Sequence, residues 1–244
     1  MSESILSVQH LVKRYGDATV VSDMSFEIAP GECLGVIGPN GAGKSSLFHL
    51  ITGTVAADAG HIALDGKALS GLPVHQRARL GVARAFQVPQ PFGNLRVFDN
   101  ALAAATFAGG LRGEAAAQAA SEALRRCGLE AMAHKTAGAL PLLDRKRLEM
   151  AKAVASQPRL LLLDEVAGGL TEREVHLMVE LVHELKQSYA VIWIEHIAQA
   201  LRAVADRIMV LHFGRKLLED APAEVMDSDI VREIYMGVPA NAAA

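Results

Sequence analysis

The chain is poor in cysteine. Its 244 residues include two, Cys33 and Cys127. No disulfide framework is therefore expected, and the composition fits a reducing compartment. Cys33 lies in an apolar run and reads as a small apolar filler. Long uncharged apolar runs are also lacking. The richest window, residues 101–110, is followed by Arg112 and Glu114, and it falls short of the roughly 18 residues a membrane span needs. The first residues, Met1-Ser2-Glu3-Ser4, carry neither a basic segment nor a long apolar core, so no signal peptide is expected. Net charge is −3, which argues against bulk nucleic-acid binding. No internal repeat, linker-like stretch or heptad run stands out. What the chain has in quantity is apolar residues, 51%. That supplies core for one large α/β domain or two small ones. With no linker to divide it, one domain carrying an insertion is expected.

The most informative stretch is Gly38-Pro39-Asn40-Gly41-Ala42-Gly43-Lys44-Ser45-Ser46. It fits the phosphate-binding pattern Gly-x-x-x-x-Gly-Lys-Ser/Thr. An apolar run, residues 33–37, leads in, and a helical pattern, residues 47–51, leads out. Glycines let backbone N–H groups close around phosphate oxygens with no Cβ in the way. The following helix points its positive end at the same oxygens. Lys44 would reach the β- and γ-phosphates, and the Ser45 hydroxyl would hold Mg²⁺.

Periodicity places further elements around this loop. Residues 5–8, 20–28, 60–66, 81–87, 207–213 and 216–218 read as strands, with an Asp-Gly turn closing the third. Runs 160–163 and 190–194 are continuously apolar, as central parallel strands are. Helices are expected over 97–107, 114–127, 144–157, 171–187, 223–226 and 230–235. Thr171 and Glu174 form a capping-box pattern at the start of the fourth. Residues 237–244 read as a frayed tail.

Several polar residues fall at strand ends. Asp164 and Glu165 close the run 160–163, where open α/β sheets bind ligands. Asp164 could hold the hydration shell of Mg²⁺, and Glu165 could accept a proton from attacking water. Gln87 ends another strand and could coordinate Mg²⁺ or position water. Alone, it reads as a loop amide facing solvent. His196 ends the strand 190–194; a lone His there is usually structural, but Gln87 and Glu165 share its edge. Tyr15 could stack on a purine, although the residues alone favour a surface tyrosine resting one side on a sheet.

Taken in order, these residues resemble the ATP-binding subunits of ABC transporters, over roughly residues 5–236. In that resemblance Tyr15 matches the aromatic that stacks on adenine, Gly38 to Ser46 the Walker A loop, and Gln87 the Q-loop glutamine. Leu160 to Glu165 match Walker B with its catalytic glutamate, and His196 the switch histidine. The resemblance implies an α/β fold: a P-loop, RecA-like core with an antiparallel β subdomain and an inserted α-helical subdomain at about 88–157. It implies ATP and Mg²⁺ as ligands, transmembrane permease subunits and a second ATPase as partners, and a peripheral place on the inner face of the cell membrane. Two such subunits sandwich ATP and reopen after hydrolysis.

A finer similarity is to the branched-chain amino acid importer ATPases. It rests on Ala83-Arg84-Ala85-Phe86-Gln87, Arg147-Leu148-Glu149-Met150-Ala151, Ile194-Glu195-His196 and Ala205-Asp206-Arg207-Ile208. Related amides, urea-like solutes or aromatic acids are alternative cargoes. One motif departs. The family's signature, usually Leu-Ser-Gly-Gly-Gln, falls at Leu140-Pro141-Leu142-Leu143-Asp144. Pro141 has neither N–H nor hydroxyl, and Leu143 adds a side chain where backbone should approach phosphate. Asp144 could N-cap the helix but would bring negative charge toward phosphate. Val166 replaces the usual Pro after the glutamate, and Thr171 stands where Asn or Asp is usual. A heterodimer with one impaired site is the expectation. The alternatives are a subunit that binds ATP and dimerises with little turnover, or a soluble ABC protein outside transport.

Overall fold

The computed structural model describes residues 4–229 and 231. The segments expected over 230–235 and 237–244 lie, apart from Val231, outside the described residues. Ten strands and eight α-helices make up the described chain. In order they are β1 (Leu6–Tyr15), β2 (Ala18–Ile28), β3 (Cys33–Ile37), α1 (Lys44–Thr52), β4 (Ala59–Leu64), β5 (Lys67–Ala68), α2 (Val74–Arg79), β6 (Val82–Ala85), α3 (Val97–Phe107) and α4 (Gly113–Arg126). There follow α5 (Leu142–Ala155), β7 (Leu160–Asp164), α6 (Glu172–Lys186), β8 (Ala190–Ile194), α7 (Ala198–Val204), β9 (Arg207–His212), β10 (Arg215–Asp220) and α8 (Pro222–Met226).

The strands form two sheets. A four-stranded antiparallel sheet runs β2-β1-β4-β5, and a six-stranded sheet runs β10-β9-β3-β8-β7-β6. In the larger sheet β6, β7, β8, β3 and β9 are parallel, and β10 pairs antiparallel at the edge. The central strands β3, β7 and β8 are buried along their whole length. Their alternate side chains feed opposite faces, as the strand period of two requires. Leu160, Leu162, Ile192 and Ile194 join α1 and the antiparallel sheet in one core. Leu161, Leu163, Val191 and Trp193 join helices α5, α6 and α7 in the other. The Ala-rich faces of α3 and α4 pack into that second core through Ala101, Ala105, Ala116, Ala120 and Ala123.

The structure adjusts several expected boundaries. Residues 6–15 form one strand, with register shifts after Val8 and Leu11 and a positive φ of 50° at His10. The Asp65-Gly66 turn does close a hairpin, between β4 and β5, with φ of 49° and 70°, as a type I′ turn requires. Helix α5 begins at Leu142, two residues before the expected start. Pro141, at φ −65° and ψ 167°, is its N-cap. Asp144 is therefore not a cap. It lies in the first helical turn, is buried, and pairs with Arg147 at 3.5 Å. At α6 the capping box forms as expected: Glu174 N donates to the Thr171 hydroxyl at 3.4 Å, and Thr171 N donates back to Glu174 at 2.9 Å.

Both cysteines are buried, and burial pushes each thiol up to about 12. At pH 8 only about one thiol in ten thousand is then ionised. The native chain should resist iodoacetamide over hours, while the unfolded chain should label at both positions. Rapid native labelling, read by mass spectrometry, would contradict this packing.

Candidate functional site

The loop between β3 and α1 is shaped by close backbone approaches. At Gly43, with φ 101°, a Cβ would lie 2.4 Å from the Val20 carbonyl oxygen. At Gly38 a Cβ would lie 2.3 Å from the Leu211 carbonyl oxygen. Gly214 N donates to Ala42 O at 3.0 Å, so the β9–β10 turn braces the loop from behind. Gly41, with φ 82°, has open space around its Cα. Asn40 and Ser45 are exposed, and Pro39 and Ser46 half-buried. This is a cradle only a chain free of side chains at Gly38 and Gly43 can form. Lys44 is buried, and its ammonium donates to the carbonyls of Gly38 at 2.7 Å and Pro39 at 3.0 Å. Burial draws its pKa down, and the carboxylates of Glu165 and Asp164 oppose that shift.

Next to this loop the parallel strands deliver the other candidates. Asp164 ends β7, is buried, and forms an ion pair with Arg84 of β6. The Arg84 guanidinium also lies 4.9 Å from the Phe86 ring centre and 5.5 Å from that of Phe48. Its Nε is buried without a partner. Glu165 follows in a left-handed conformation, φ 46°, which costs a non-glycine residue about 1–2 kcal/mol. Its carboxylate accepts a hydrogen bond from the Gln87 amide and stands 3.5 Å from His196 Nδ1. Gln87, Glu165 and His196 thus meet in one cluster. The Glu165 side chain is 15% exposed and that of His196 is 52% exposed, and Gln87 is exposed too, so the cluster opens outward through the histidine and the glutamine. Tyr15 is 49% exposed, with Lys13 Nζ 5.3 Å from its ring centre.

Two further charged residues join this group, and the sequence reading passed over both. Lys146 of α5 is buried and donates to the carbonyls of Gln87 at 3.2 Å and Glu165 at 3.3 Å. Glu195 is buried beside His196; it accepts from Ala167 N at 2.8 Å and His196 N at 3.1 Å. Burial lowers the Lys146 pKa and raises that of Glu195. Helical spacing held a signal for Lys146. It follows Leu143 by three residues and precedes Met150 by four, on a stripe that faces inward.

The signature-position residues show a different environment. Pro141 and Leu142 are exposed, and Leu143 is half-buried. The Leu142 side chain approaches Gly169; a Cβ there would lie 3.8 Å from it. No side chain caps the start of α5. Arg145 folds back to donate to Leu140 O at 2.7 Å and Gly138 O at 3.0 Å.

A family model described as "ABC transporter" matches residues 21–168. The chain belongs to the ABC transporter family. It is similar to the high-affinity branched-chain amino acid transport ATP-binding protein LivG of Salmonella typhimurium, with 36% identity covering 97% of this chain and 99% of LivG. It is also similar to the lipopolysaccharide export system ATP-binding protein LptB of Escherichia coli, with 31% identity covering 95% and 97% of the two chains. Among solved structures, the ADP conformation of an ATP-binding cassette of an ABC transporter superposes with a TM-score of 0.88. That match has 25% identity and covers 97% of this chain and 100% of the other. The fold is accordingly a P-loop NTPase, and the chain is an ABC-family ATPase that binds nucleotide.

Gly43→Ala should lower folding stability by roughly 2 kcal/mol, because the new Cβ meets backbone and the φ is unfavourable. Denaturant midpoints of the two proteins read this. An unchanged midpoint would show that the loop relaxes around the methyl group.

Proposed function

We propose that this chain hydrolyses ATP at the cluster of Gln87, Glu165 and His196, as one of two unlike ATPases in a transporter. Convergence of these three side chains beside the Lys44 loop carries the reading. Lys44 and the loop amides from Gly38 to Ser46 bind phosphate charge, giving up the carbonyls that Lys44 now holds. Tyr15 stacks on the adenine. Glu165 polarises the attacking water and takes its proton. His196, exposed at the rim of the cluster, contacts the γ-phosphate and stabilises charge as it develops. Ser45, Gln87 and Asp164 offer hydroxyl, amide and carboxylate oxygens, a donor set that suits Mg²⁺. When bound, Mg²⁺ neutralises charge on the β- and γ-phosphates.

ABC ATPase subunits work with transmembrane permeases. No helix among the described residues is long and apolar enough to cross a membrane. We place the chain on the inner face of the cell membrane, docked to permease subunits, with residues 88–157 as the helical subdomain. Branched-chain amino acids or related small solutes are the cargo this reading favours. The LivG similarity and the short motifs around Gln87, Leu148 and His196 support it.

The second ATPase is proposed to be a different chain. Pro141 offers no N–H or hydroxyl to a phosphate held by a partner, and Leu143 crowds the approach. The partner's Walker loop would face this impaired signature and turn over slowly. This chain's own loop would face an intact one. A subunit that binds ATP with little turnover is the second reading, and the same signature residues favour it.

Glu165→Gln separates the two. Transport ATPase activity should fall at least about a hundredfold with ATP binding retained. Equal turnover of variant and wild type would overturn the hydrolytic reading. Pro141→Ser combined with Leu143→Gly, in the complex with its partner, should raise hydrolysis at the partner's loop alone. No change in turnover would count against the asymmetric pair.

A further inference from the structure

We propose that Lys146 is a positioning residue for hydrolysis, a buried clamp that ties the helix bearing the signature position to this subunit's own Gln87 and Glu165. The inference rests on the hydrolytic reading of those residues. It assigns no chemistry to Lys146.

The geometry is specific. Lys146 sits five residues after the N-cap Pro141 on α5. Its ammonium reaches across to two separate chain segments, at the Gln87 and Glu165 carbonyls. The Glu165 carbonyl also accepts Gly168 N at 3.1 Å, so the turn that holds Glu165 at positive φ closes on the lysine. Glu195, nearby, favours the charged ammonium. It fixes the amides of Ala167 and His196 from the other side. The same helix grips the Gln87 loop a second time. Glu149 accepts Gln90 N at 2.9 Å, and Lys152 donates to Gln90 O at 3.2 Å.

The consequence is mechanical. Side-chain positions at Gln87 and Glu165 depend on where their backbone carbonyls are held. A shift of α5 therefore moves both, and small misplacements at a reacting centre cost large factors in rate. Phosphate of the partner's nucleotide lies, in the dimer proposed above, at the start of α5. Lys146 thus connects occupancy of one site to the geometry of the other. A neutral side chain of the same length loses this link while leaving the phosphate loop intact.

The test uses the tagged chain isolated with its associated subunits. Lys146→Met should lower kcat about tenfold or more, with KM for ATP within about twofold. Lys146→Arg, which keeps charge and donors, should recover kcat to within about threefold of wild type. Lys146→Met also takes away a positive charge near buried Glu195, so a second variant guards against loss of folding. The pair Lys146→Met with Glu195→Gln removes both charges and should show the same kcat loss. Unchanged kcat in the methionine variants, or an arginine variant as impaired as methionine, would overturn the proposal. Glu165→Gln in the same preparation guards the underlying reading. If it stays active, the hydrolytic assignment falls. If it is inactive while the Lys146 variants are normal, the clamp alone falls.

Discussion

The site depends on the level at which the parallel strands stop. Val36 of β3 and Asp164 of β7 both pair with Ile194 of β8, and Ala85 of β6 pairs with Leu163 one step behind. Parallel register therefore brings the loops after β3, β6, β7 and β8 out at one edge. Slippage by one residue would turn every buried side chain of a strand to the opposite core. Burial on both faces thus locks the register, and the register gathers Gly38, Gln87, Glu165 and His196. The gathering of these residues at one edge is a by-product of packing two separate cores against one sheet.

Held in that way, the edge can carry strain. Glu165 takes a left-handed conformation that its side chain does not favour. Its N–H donates to Ile194 O at 2.9 Å, continuing the β7–β8 ladder, and its carbonyl is held by Gly168 and Lys146. The residue with the most exacting role proposed for it thus has both its backbone groups hydrogen-bonded. Asp164 is held differently, through the Arg84 ion pair. An ion approaching Asp164 would share it with that guanidinium.

Much of this was legible from the residues. The apolar runs 33–37, 160–163 and 190–194 gave central strands because strands buried on both faces leave little room for polar positions. The loop at Gly38 to Ser46 announced itself through glycines that the structure shows to be sterically required at Gly38 and Gly43. The 97–107 helix followed from its alanine-rich composition ahead of Gly109-Gly110, and the α6 cap from the Thr171–Glu174 spacing. Other features were hidden because their partners are backbone atoms far along the chain. Lys146 stands between Arg145 and Arg147 near a helix start, where nothing sets it apart, yet its acceptors are carbonyls at residues 87 and 165. Glu195 was overshadowed by His196, though the strand before it is wholly buried. Asp144 was a possible cap because its carboxylate could accept from N–H groups at a helix start. Here Pro141 takes the cap position with backbone geometry alone, and Asp144 turns to Arg147. Short helices α2 and α7 carry too few residues for a periodic signal.

The central claim is that two unlike chains form two unequal ATP sites, the active one built on this chain's Lys44 loop. Single-turnover hydrolysis by the isolated complex, loaded with photo-crosslinkable ATP, tests it most directly. The account predicts one fast and one slow nucleotide per complex, with the fast-formed ADP cross-linked to this chain. Equal rates at both sites, or fast-formed ADP on the partner, would contradict it.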